Sequence, residues 1–263
     1  MTTNELRARI TRGERTFGGW CTMGSAFAAE LVGHEGVDYV CVDCQHGLVH
    51  ADGMWRMLQA IRGTGATPIV RVPFNDTAWP GKAFDAGAEA VIVPMVNSRE
   101  EAEKAAAACR YAPQGVRSFG PVRAGLLLGD DPPAVNAEVM CLVMIETVRA
   151  VEAADAICAT PGVDGVYVGP ADLAVSMSGS LAAMASREHA DAIEHVRRTC
   201  ADHGIVAGIH TGGGVPARAY ADAGFEMCTL TTDAALLRAA VREQLAVARG
   251  ETAGREGAKG PYG

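Results

Sequence analysis

Short apolar runs alternate along the chain with longer alanine-rich segments in which apolar positions recur every three or four residues. The short runs are typical of buried strands and the longer segments of helices, so their alternation predicts repeated βα units. Eight such units predict a single-domain (β/α)8 TIM barrel. The alternative is a doubly wound sheet, but no Gly-x-Gly-x-x-Gly follows an early strand. The predicted strands lie near residues 17–23, 39–43, 67–72, 90–94, 141–146, 165–169, 205–210 and 227–231.

Capping residues mark where two of the predicted helices begin. Ser98-Arg-Glu-Glu101 is a capping box, which predicts a helix running toward Cys109. We expect Asp233 to cap the last helix, whose alanine, leucine and valine residues recur at helical spacing through Arg249.

Two segments depart from the alternation. Residues 111–137 contain several prolines and glycines, and a connection of this length predicts either a functional lid on the fourth strand or a plain insertion. Residues 251–263 are polar and glycine-rich, so we expect a flexible tail after a barrel domain that covers residues 1–250.

The composition argues against several classes of partner. The net charge is −8 and no basic cluster occurs, so we expect neither nucleic acid nor an anionic membrane as a partner. No apolar stretch approaches the ~20 residues of a membrane span, and the first residues resemble a polar helix rather than a signal peptide, which indicates a cytoplasmic protein. Most of the eight cysteines occupy apolar patterns, as small buried side chains do.

The positions of the lysines argue against one mechanism. The chain has three, Lys82, Lys104 and Lys259, and none ends a predicted strand. A lysine that forms a Schiff base with a substrate would be needed at such a position. We therefore expect no covalent imine chemistry.

Four apolar strands end in residues that bear charge or transfer protons. Glu146 and Asp172 end neighbouring strands, Asp43 and His46 follow another, and Arg71 ends a fourth. Charged residues are rare at buried positions unless function requires them, and the active sites of barrel enzymes lie at the C-terminal ends of the strands. We interpret the group as a metal-assisted active site. For each residue taken singly, a solvated strand end is the alternative.

Glu146 and Asp172 are the candidate metal ligands. Adjacent parallel strands lie about 5 Å apart, so two carboxylates at their ends can share one cation. Oxygen ligands without cysteine or histidine favour Mg²⁺ or Mn²⁺ over zinc. Helix capping by either residue is the alternative.

The candidate substrate-binding groups lie on the neighbouring strand ends. The turn Gly169-Pro170-Ala171-Asp172 places backbone N–H groups beside the cation, where they would bind a carboxylate, although a purely structural turn is an alternative. The guanidinium of Arg71 suits a 2-oxo oxygen that becomes negative as an enolate forms. The imidazole of His46 suits proton transfer near neutral pH.

The order of these motifs resembles the HpcH/HpaI family of class II 2-oxo-acid aldolases, over roughly residues 15–245. The resemblance implies a (β/α)8 barrel, a divalent metal, pyruvate-type nucleophiles, and a hexamer built from dimers that exchange their last helix. The motifs that carry it are Asp43-x-Gln45-His46-Gly47, Val70-Arg71-Val72-Pro73, Val93-Pro94-Met95-Val96, Ile145-Glu146-Thr147 and Gly169-Pro170-Ala171-Asp172-Leu173.

The resemblance also implies a role for each motif residue. Glu146 and Asp172 would bind the metal, either Mg²⁺ or Mn²⁺, with Co²⁺ as a further candidate. Arg71 would hold the 2-oxo oxygen, and the amides after Gly169, those of Ala171 and Asp172, would hold the carboxylate.

The implied catalytic base is His46. It would act together with Asp43 and with Asp85, which the family brings from a neighbouring subunit.

Two positions depart from the family pattern. Gln45 stands near the metal waters and the substrate where the family commonly has glutamate, which removes one negative charge. The segment from His210 to Gly214 is more polar and glycine-rich than in the relatives that the pattern resembles. We expect it either to widen the aldehyde end of the site or to bind a polar substrate tail.

These observations predict an aldolase that reversibly cleaves 4-hydroxy-2-oxo acids to pyruvate or hydroxypyruvate and an aldehyde. The alternatives are a carbon–carbon lyase for CoA thioesters, of the citrate lyase β-subunit or malyl-CoA type, and a non-catalytic protein that binds 2-oxo acids. A CoA lyase would need a basic groove for the CoA phosphates, for which this acidic chain offers few residues.

Overall fold

Eight parallel strands form a closed barrel in which each strand pairs with the next and β8 pairs with β1. The computed structural model describes residues 4–251. All eight predicted strands are present and the (β/α)8 barrel is confirmed, whereas the doubly wound sheet is excluded by closure. The strands are β1 Thr16–Cys21, β2 Tyr39–Asp43, β3 Thr67–Arg71, β4 Ala90–Val93, β5 Met140–Ile145, β6 Gly165–Val168, β7 Val206–Ile209 and β8 Met227–Thr232.

The described residues also form thirteen α-helices and one 3₁₀ helix, Leu181–Ala185, most of them on the outside of the barrel. The α-helices are α1 Glu5–Thr11, α2 Ala26–His34, α3 Ala51–Arg62, α4 Ala78–Asp85, α5 Arg99–Cys109, α6 Ala124–Leu127, α7 Pro132–Glu138, α8 Val148–Glu152, α9 Ala154–Cys158, α10 Pro170–Ser178, α11 Arg187–His203, α12 Gly214–Ala223 and α13 Asp233–Ala248.

Two layers of side chains stabilise the barrel. One cluster fills its interior, where the hydroxyls of Tyr39 and Tyr167 lie 3.2 Å apart and Tyr167 also bonds the hydroxyl of Thr229. The larger cluster packs the outer faces of the strands against the helices. Both faces of each strand are therefore covered, which explains why the strands are nearly continuous apolar runs rather than alternating ones.

The cap of the last helix differs from the prediction. Thr232, not Asp233, is the N-cap of α13, because its hydroxyl accepts from the amide of Ala235 at 3.1 Å. Asp233 is the first helical residue, and its carboxylate accepts from the amides of Thr22 and Met23 at 2.8 and 3.2 Å. The acidic side chain thus fastens the end of β1 to α13. Ser98 is the N-cap of α5 as predicted, and its hydroxyl accepts from the Glu101 amide at 3.3 Å. The Glu101 carboxylate accepts from the amide of Asn97 at 2.6 Å, one residue before the expected Ser98 amide.

The long proline-rich segment is not a lid on the fourth strand, so that alternative is wrong and the plain insertion remains. Only residues 94–98 separate β4 from α5, and the long segment follows α5 and leads to the N-terminal end of β5. It contains α6 and α7, and Arg123 bonds the carbonyl of Ala86 at the end of α4. The segment therefore belongs to the face of the barrel opposite the strand C-termini.

Helix α13 packs little of its surface against its own chain. Asp233 is its one buried residue, and Leu236, Leu237, Val241 and Leu245 are 45–57% exposed. The tail predicted over residues 251–263 lies outside the described residues apart from Glu251. Within residues 4–251, no helix has the length and apolar character needed to cross a lipid bilayer.

Candidate active site

The C-terminal ends of the strands surround a cavity of about 460 Å³. Six of the nine predicted site residues line this cavity, although they come from three strands that are far apart in sequence. Those six are Asp43, His46, Arg71, Gly169, Ala171 and Asp172. The barrel therefore brings together most of the group that the sequence predicted.

Asp43 and Arg71 form a buried ion pair at the floor of the cavity. They are directly paired residues of β2 and β3, and the Asp43 carboxylate accepts from Arg71 Nε at 2.9 Å and Nη2 at 2.6 Å. Burial alone would raise the pKa of Asp43, but the hydrogen bonds and charge of Arg71 outweigh it and hold this pKa below its ordinary value. The carboxylate is therefore ionised, and it fixes the orientation of the guanidinium.

The same carboxylate shapes the turn that carries His46. Asp43 Oδ1 also accepts from the backbone amides of Gln45 at 3.0 Å and His46 at 3.2 Å. Gly47 completes the turn, because a Cβ there would lie 2.2 Å from the Asp43 carbonyl oxygen. Asp43 thus contacts His46 through the backbone, while the exposed imidazole faces the cavity.

The structure adds Trp20 to the predicted site. Its indole N–H donates to Asp43 Oδ2 at 3.2 Å, and the guanidinium of Arg71 lies 5.0 Å from its ring centre. A buried tryptophan with its N–H bonded is a rigid support, so Trp20 holds Arg71 and Asp43 in place. The sequence showed Trp20 only as one apolar residue of the first strand.

Glu146 and Asp172 lie in direct contact beside the cavity. Glu146 is buried and its carboxylate accepts from the amide of Met95 at 2.7 Å. Burial raises the pKa of Glu146 to about 7, and the charge of Asp172 adds to the effect, whereas the Met95 amide and Arg71 oppose it. The two carboxylates contact each other, and the positive charge nearby does not neutralise both. Such a pair suits a cation.

The backbone at two positions, Gly169 and Met95, lies very close to the Glu146 carboxylate. A Cβ at Gly169 would lie 2.6 Å from Glu146 Oε2, so only glycine permits β6 to end against this carboxylate. Met95 has φ +56°, a left-handed conformation that is uncommon for a side chain such as methionine. The strained conformation directs its amide at Glu146 and fixes one carboxylate oxygen.

We expect the stability of the metal-free protein to depend on Glu146. A carboxyl group whose pKa is raised from 4.5 to about 7 on folding stabilises the native state fully below pH 4.5. This contribution is lost as the pH rises toward 7, and it amounts to roughly 3 kcal/mol at 1.36 kcal/mol per pKa unit. We expect urea unfolding in EDTA, at pH 4.5 to 8, to give the free energy of unfolding of wild type and of Glu146→Gln. As the pH rises, this free energy should fall in wild type relative to the variant. Parallel pH curves for the two proteins would contradict this assignment.

The turn after β6 carries the predicted carboxylate-binding amides. Gly169 is the N-cap of α10, so the amides of Ala171 and Asp172 belong to its first turn, where backbone N–H groups have no intrahelical acceptor. His189 is buried, and its Nε2–H donates to the Pro170 carbonyl at 2.7 Å. The imidazole therefore anchors the turn from helix α11.

The other three predicted residues, Gln45, Asp85 and Glu146, are not among the residues that line the cavity. The amide oxygen of Gln45 is buried and finds no hydrogen-bond partner within residues 4–251. Asp85 ends α4 and pairs with Arg117 Nη2 at 2.7 Å, so within one chain it is not part of the cavity. The two described lysines, Lys82 and Lys104, do not line the cavity either.

The donor set suits a divalent cation held by few protein ligands. Within residues 4–251, no group of three or more acidic, histidine or cysteine side chains has a metal-binding arrangement. The Glu146–Asp172 pair offers two carboxylates at the edge of an open cavity. A hard cation that keeps several waters or substrate oxygens, as Mg²⁺ does, fits such a pair.

The barrel and the charged groups at its C-terminal face define a (β/α)8 enzyme with a carboxylate-rich active site. The family model for "HpcH/HpaI aldolase/citrate lyase" matches residues 17–240, and the chain belongs to this family. The predicted resemblance is therefore confirmed over most of the chain.

Individual relatives agree with the family assignment. The chain is 38% identical over 248 residues to a hydroxypyruvate/pyruvate aldolase of Rhizorhabdus wittichii, covering 94% of this chain and 99% of that protein. It is 34% identical to a 2-dehydro-3,6-dideoxy-6-sulfogluconate aldolase of Pseudomonas putida, covering 93% and 96%. A crystal structure of a family member from Burkholderia cenocepacia superposes with a TM-score of 0.88 at 32% identity, covering 94% of this chain and all of that one. These relatives confirm the predicted class, a carbon–carbon lyase of the aldolase type.

Proposed function

We propose that this protein is a divalent-metal-dependent aldolase that reversibly cleaves 4-hydroxy-2-oxo acids to pyruvate or hydroxypyruvate and an aldehyde. The observation that carries the proposal is the contact between Glu146 and Asp172 at the edge of the cavity that Arg71 also lines. The class of 2-oxo acid is supported by the relatives, one of which is a hydroxypyruvate/pyruvate aldolase.

Different groups in the cavity bind different parts of the substrate. The amides of Ala171 and Asp172 bind its carboxylate at the start of α10. Arg71 has five N–H donors, and Asp43 uses two of them, so the guanidinium retains donors for the 2-oxo oxygen. Because Trp20 and Asp43 hold Arg71 rigidly, this hydrogen bond is already oriented when charge develops on the oxygen.

His46 transfers the proton that starts cleavage. It accepts the proton of the 4-hydroxyl group while the bond between C3 and C4 breaks, and the aldehyde leaves. The electrons of the broken C3–C4 bond remain on the three-carbon fragment as an enolate, and Arg71 stabilises the negative charge on the enolate oxygen. Protonation of C3 then gives the 2-oxo acid. Addition follows the same steps in reverse.

Glu146 and Asp172 would hold the divalent cation, with Mg²⁺ or Mn²⁺ as the first candidates and Co²⁺ as a further one. The cation would supply Lewis-acid polarisation of the 2-oxo group. Arg71 provides a second positive charge on the same oxygen.

Turnover of a 4-hydroxy-2-oxo acid tests the proposal directly. We expect pyruvate release in the presence of Mg²⁺, Mn²⁺ or Co²⁺, loss of release after exhaustive chelation, and recovery on adding the metal. Full turnover after chelation would contradict the metal dependence. Absence of turnover with every metal and every 2-oxo acid would support a binding protein, and activity restricted to CoA thioesters would support the lyase alternative.

The cavity supports the free acid rather than a CoA thioester. Among residues 4–251, Arg71 is the one arginine or lysine that lines it, and this residue is already paired with Asp43. The CoA phosphates would therefore meet no dedicated cation among the lining residues.

Arg71→Lys should reduce kcat/KM by on the order of 10²-fold or more, because an ammonium group cannot keep both bonds to Asp43 and still reach the 2-oxo oxygen. Steady-state kinetics of cleavage would measure this loss. Arg56→Lys, on the exposed face of α3, is the matched control and should behave as wild type. Near-normal activity of Arg71→Lys would show that the guanidinium fork is not needed.

We further propose that the protein assembles as a hexamer, a trimer of dimers that exchange α13, in which Asp85 reaches a neighbour's His46. The exposed apolar residues of α13 support an exchange, since burial against a second chain would remove them from water. The Asp85 side chain is 38% exposed and is held by the buried Arg117, whose guanidinium lies 4.3 Å from the ring centre of Tyr111. This arrangement would present Asp85 at the surface in a fixed orientation.

Light scattering of the purified protein tests the assembly. We expect a hexamer for wild type and smaller species for Val241→Glu, because the new charge would be buried in the exchanged interface. Ala201→Glu, at an exposed position of α11, is the control and should remain hexameric. A wild-type monomer, or a hexamer unaffected by Val241→Glu, would contradict the proposal.

A further inference from the structure

The backbone of Met95 has a conformation that its own side chain does not explain. Among residues 4–251, Met95 is the one residue other than glycine whose φ is positive. It lies in the short connection 94–98 between β4 and α5. Met95 is 48% exposed and does not line the cavity. A left-handed conformation is unfavourable for a residue with a Cβ, so contacts of the backbone must hold it.

The amide of Met95 sets the orientation of the Glu146 carboxylate. It donates to Glu146 Oε1 at 2.7 Å. The other oxygen, Oε2, faces the end of β6, where it is the atom nearest to a Cβ placed on Gly169. Asp172 follows in the first turn of α10. The bond from Met95 therefore determines which oxygen of Glu146 is directed toward Asp172.

Asn97 holds the backbone of Met95 from the other side. Its Nδ2 donates to the Met95 carbonyl at 2.7 Å, and because a carbonyl oxygen can only accept, this bond identifies Oδ1 as the free acceptor of the Asn97 amide. The backbone amide of Asn97 donates to the Glu101 carboxylate at 2.6 Å, which anchors Asn97 to α5. The peptide groups on the two sides of the Met95 Cα are thus fixed, one by Glu146 and the other by Asn97.

Thr147 connects this loop to the strand that carries Glu146. The hydroxyl of Thr147 donates to Asn97 Oδ1 and accepts from the amide of Ala150 at 3.1 Å, as the N-cap of α8. Thr147 directly follows Glu146 in the chain. Asn97 therefore joins the end of β4 to the end of β5, the two segments that determine where the Glu146 carboxylate points.

We propose that Asn97 and Thr147 are positioning residues for the candidate metal site. They hold Met95 in its left-handed conformation, so that its amide directs Glu146 toward Asp172. This inference rests on the proposed function, in which these two carboxylates hold the cation. Without Asn97, the backbone of residue 95 can relax to an ordinary conformation, which turns its amide away from Glu146.

Asn97→Ala should weaken Mn²⁺ binding by about 10–100-fold, the usual effect of removing a group that orients a metal ligand. Titration calorimetry would measure this loss, and circular dichroism would verify the fold. Thr64→Ala is the matched control and should bind Mn²⁺ as wild type does. Thr64 is half-buried like Asn97, and its hydroxyl makes two backbone bonds in the turn before β3, on the opposite face of the barrel. Wild-type affinity in folded Asn97→Ala would overturn the proposal.

Glycine at position 95 tests whether the left-handed conformation is the reason for the loss. Glycine adopts a positive φ at little cost, so Met95→Gly should restore most of the Mn²⁺ affinity in the Asn97→Ala background. Met95→Ala removes the same side chain but keeps the Cβ, so it should restore none in that background. Equal affinity of the two double variants would overturn the role assigned to the backbone of Met95.

Two substitutions test the share of Thr147. Thr147→Val removes the hydroxyl and keeps the shape of the side chain, so it should weaken Mn²⁺ binding, but less than Asn97→Ala does, because the bond between Asn97 and Met95 remains. Thr147→Ser keeps the hydroxyl and should bind Mn²⁺ more tightly than Thr147→Val. Equal affinity of the two variants would exclude Thr147 from this role.

Hydrogen exchange of the Met95 amide, measured in EDTA, tests the inference without the metal. This amide should exchange faster in Asn97→Ala than in wild type, because its bond to Glu146 is weakened. Unchanged exchange, together with Mn²⁺ binding by wild type, would refute only this inference. Faster exchange, together with no Mn²⁺ binding by wild type, would support the positioning of Glu146 and refute the proposed metal dependence.

Discussion

Glu146→Gln should lower aldol cleavage by on the order of 10³-fold or more at saturating Mg²⁺. Lewis-acid polarisation of a carbonyl contributes several kcal/mol to the transition state, and each 1.4 kcal/mol corresponds to a factor of ten in rate. Glutamine keeps the shape of the side chain and can still accept from the Met95 amide, which Glu146 contacts at 2.7 Å. The change therefore removes charge at the metal pair with little change in packing.

Two measurements on Glu146→Gln separate loss of metal from loss of fold. Titration calorimetry with Mn²⁺ should show weaker binding than in wild type, while circular dichroism and thermal unfolding in EDTA should show an intact barrel. Glu103→Gln, on the exposed face of α5, removes the same charge elsewhere and should match wild type in both assays. Unchanged Mn²⁺ affinity in Glu146→Gln would assign the metal to other ligands.

His46→Ala should reduce cleavage and aldol addition by about 10²–10⁴-fold, the usual effect of removing a general base. Proton exchange at C3 of pyruvate should decline less, because it requires the bound 2-oxo acid and Arg71 but not the group that accepts the 4-hydroxyl proton. Comparing the two rates for one variant therefore identifies which proton His46 transfers. Pyruvate release and deuterium incorporation provide the two measurements.

His50→Ala is the matched control for His46→Ala. His50 lies four residues further along the same connection and is exposed, and its side chain makes no capping bond to α3. Equal loss of cleavage and of exchange in His46→Ala would indicate a role in binding the 2-oxo acid. Normal cleavage in His46→Ala would place the base on another element.

Three predictions depended only on residues close together in the sequence, and the structure agrees with them. The eight strands were predictable because a strand covered on both faces must be an uninterrupted apolar run. The charged residues at the strand ends were predictable as site residues because burying a charge beside an apolar run is unfavourable unless a partner or a function compensates for it. The helix that begins after Ser98 was likewise fixed by its own capping residues.

Predictions that depended on contacts between distant segments were incomplete. Asp233 was expected to cap a helix, but it bonds β1, which is more than two hundred residues away in sequence. The lid alternative for residues 111–137 placed this segment on the wrong face, because its own composition does not show whether it follows a strand or a helix. His189 gave no signal of its role, since its partner is the carbonyl of Pro170 on another helix.

The sequence by itself thus determined the barrel, the positions of its strands and most of the charged residues that line the site, because hydrophobic periodicity and strand-end charge are local properties. Only the tertiary structure decided how those residues act. It joined Asp43 to Arg71, packed both against Trp20, and buried Glu146 against Asp172. These contacts join residues from different strands, and their pKa values and orientations depend on burial and on neighbouring charges that exist only when the barrel closes.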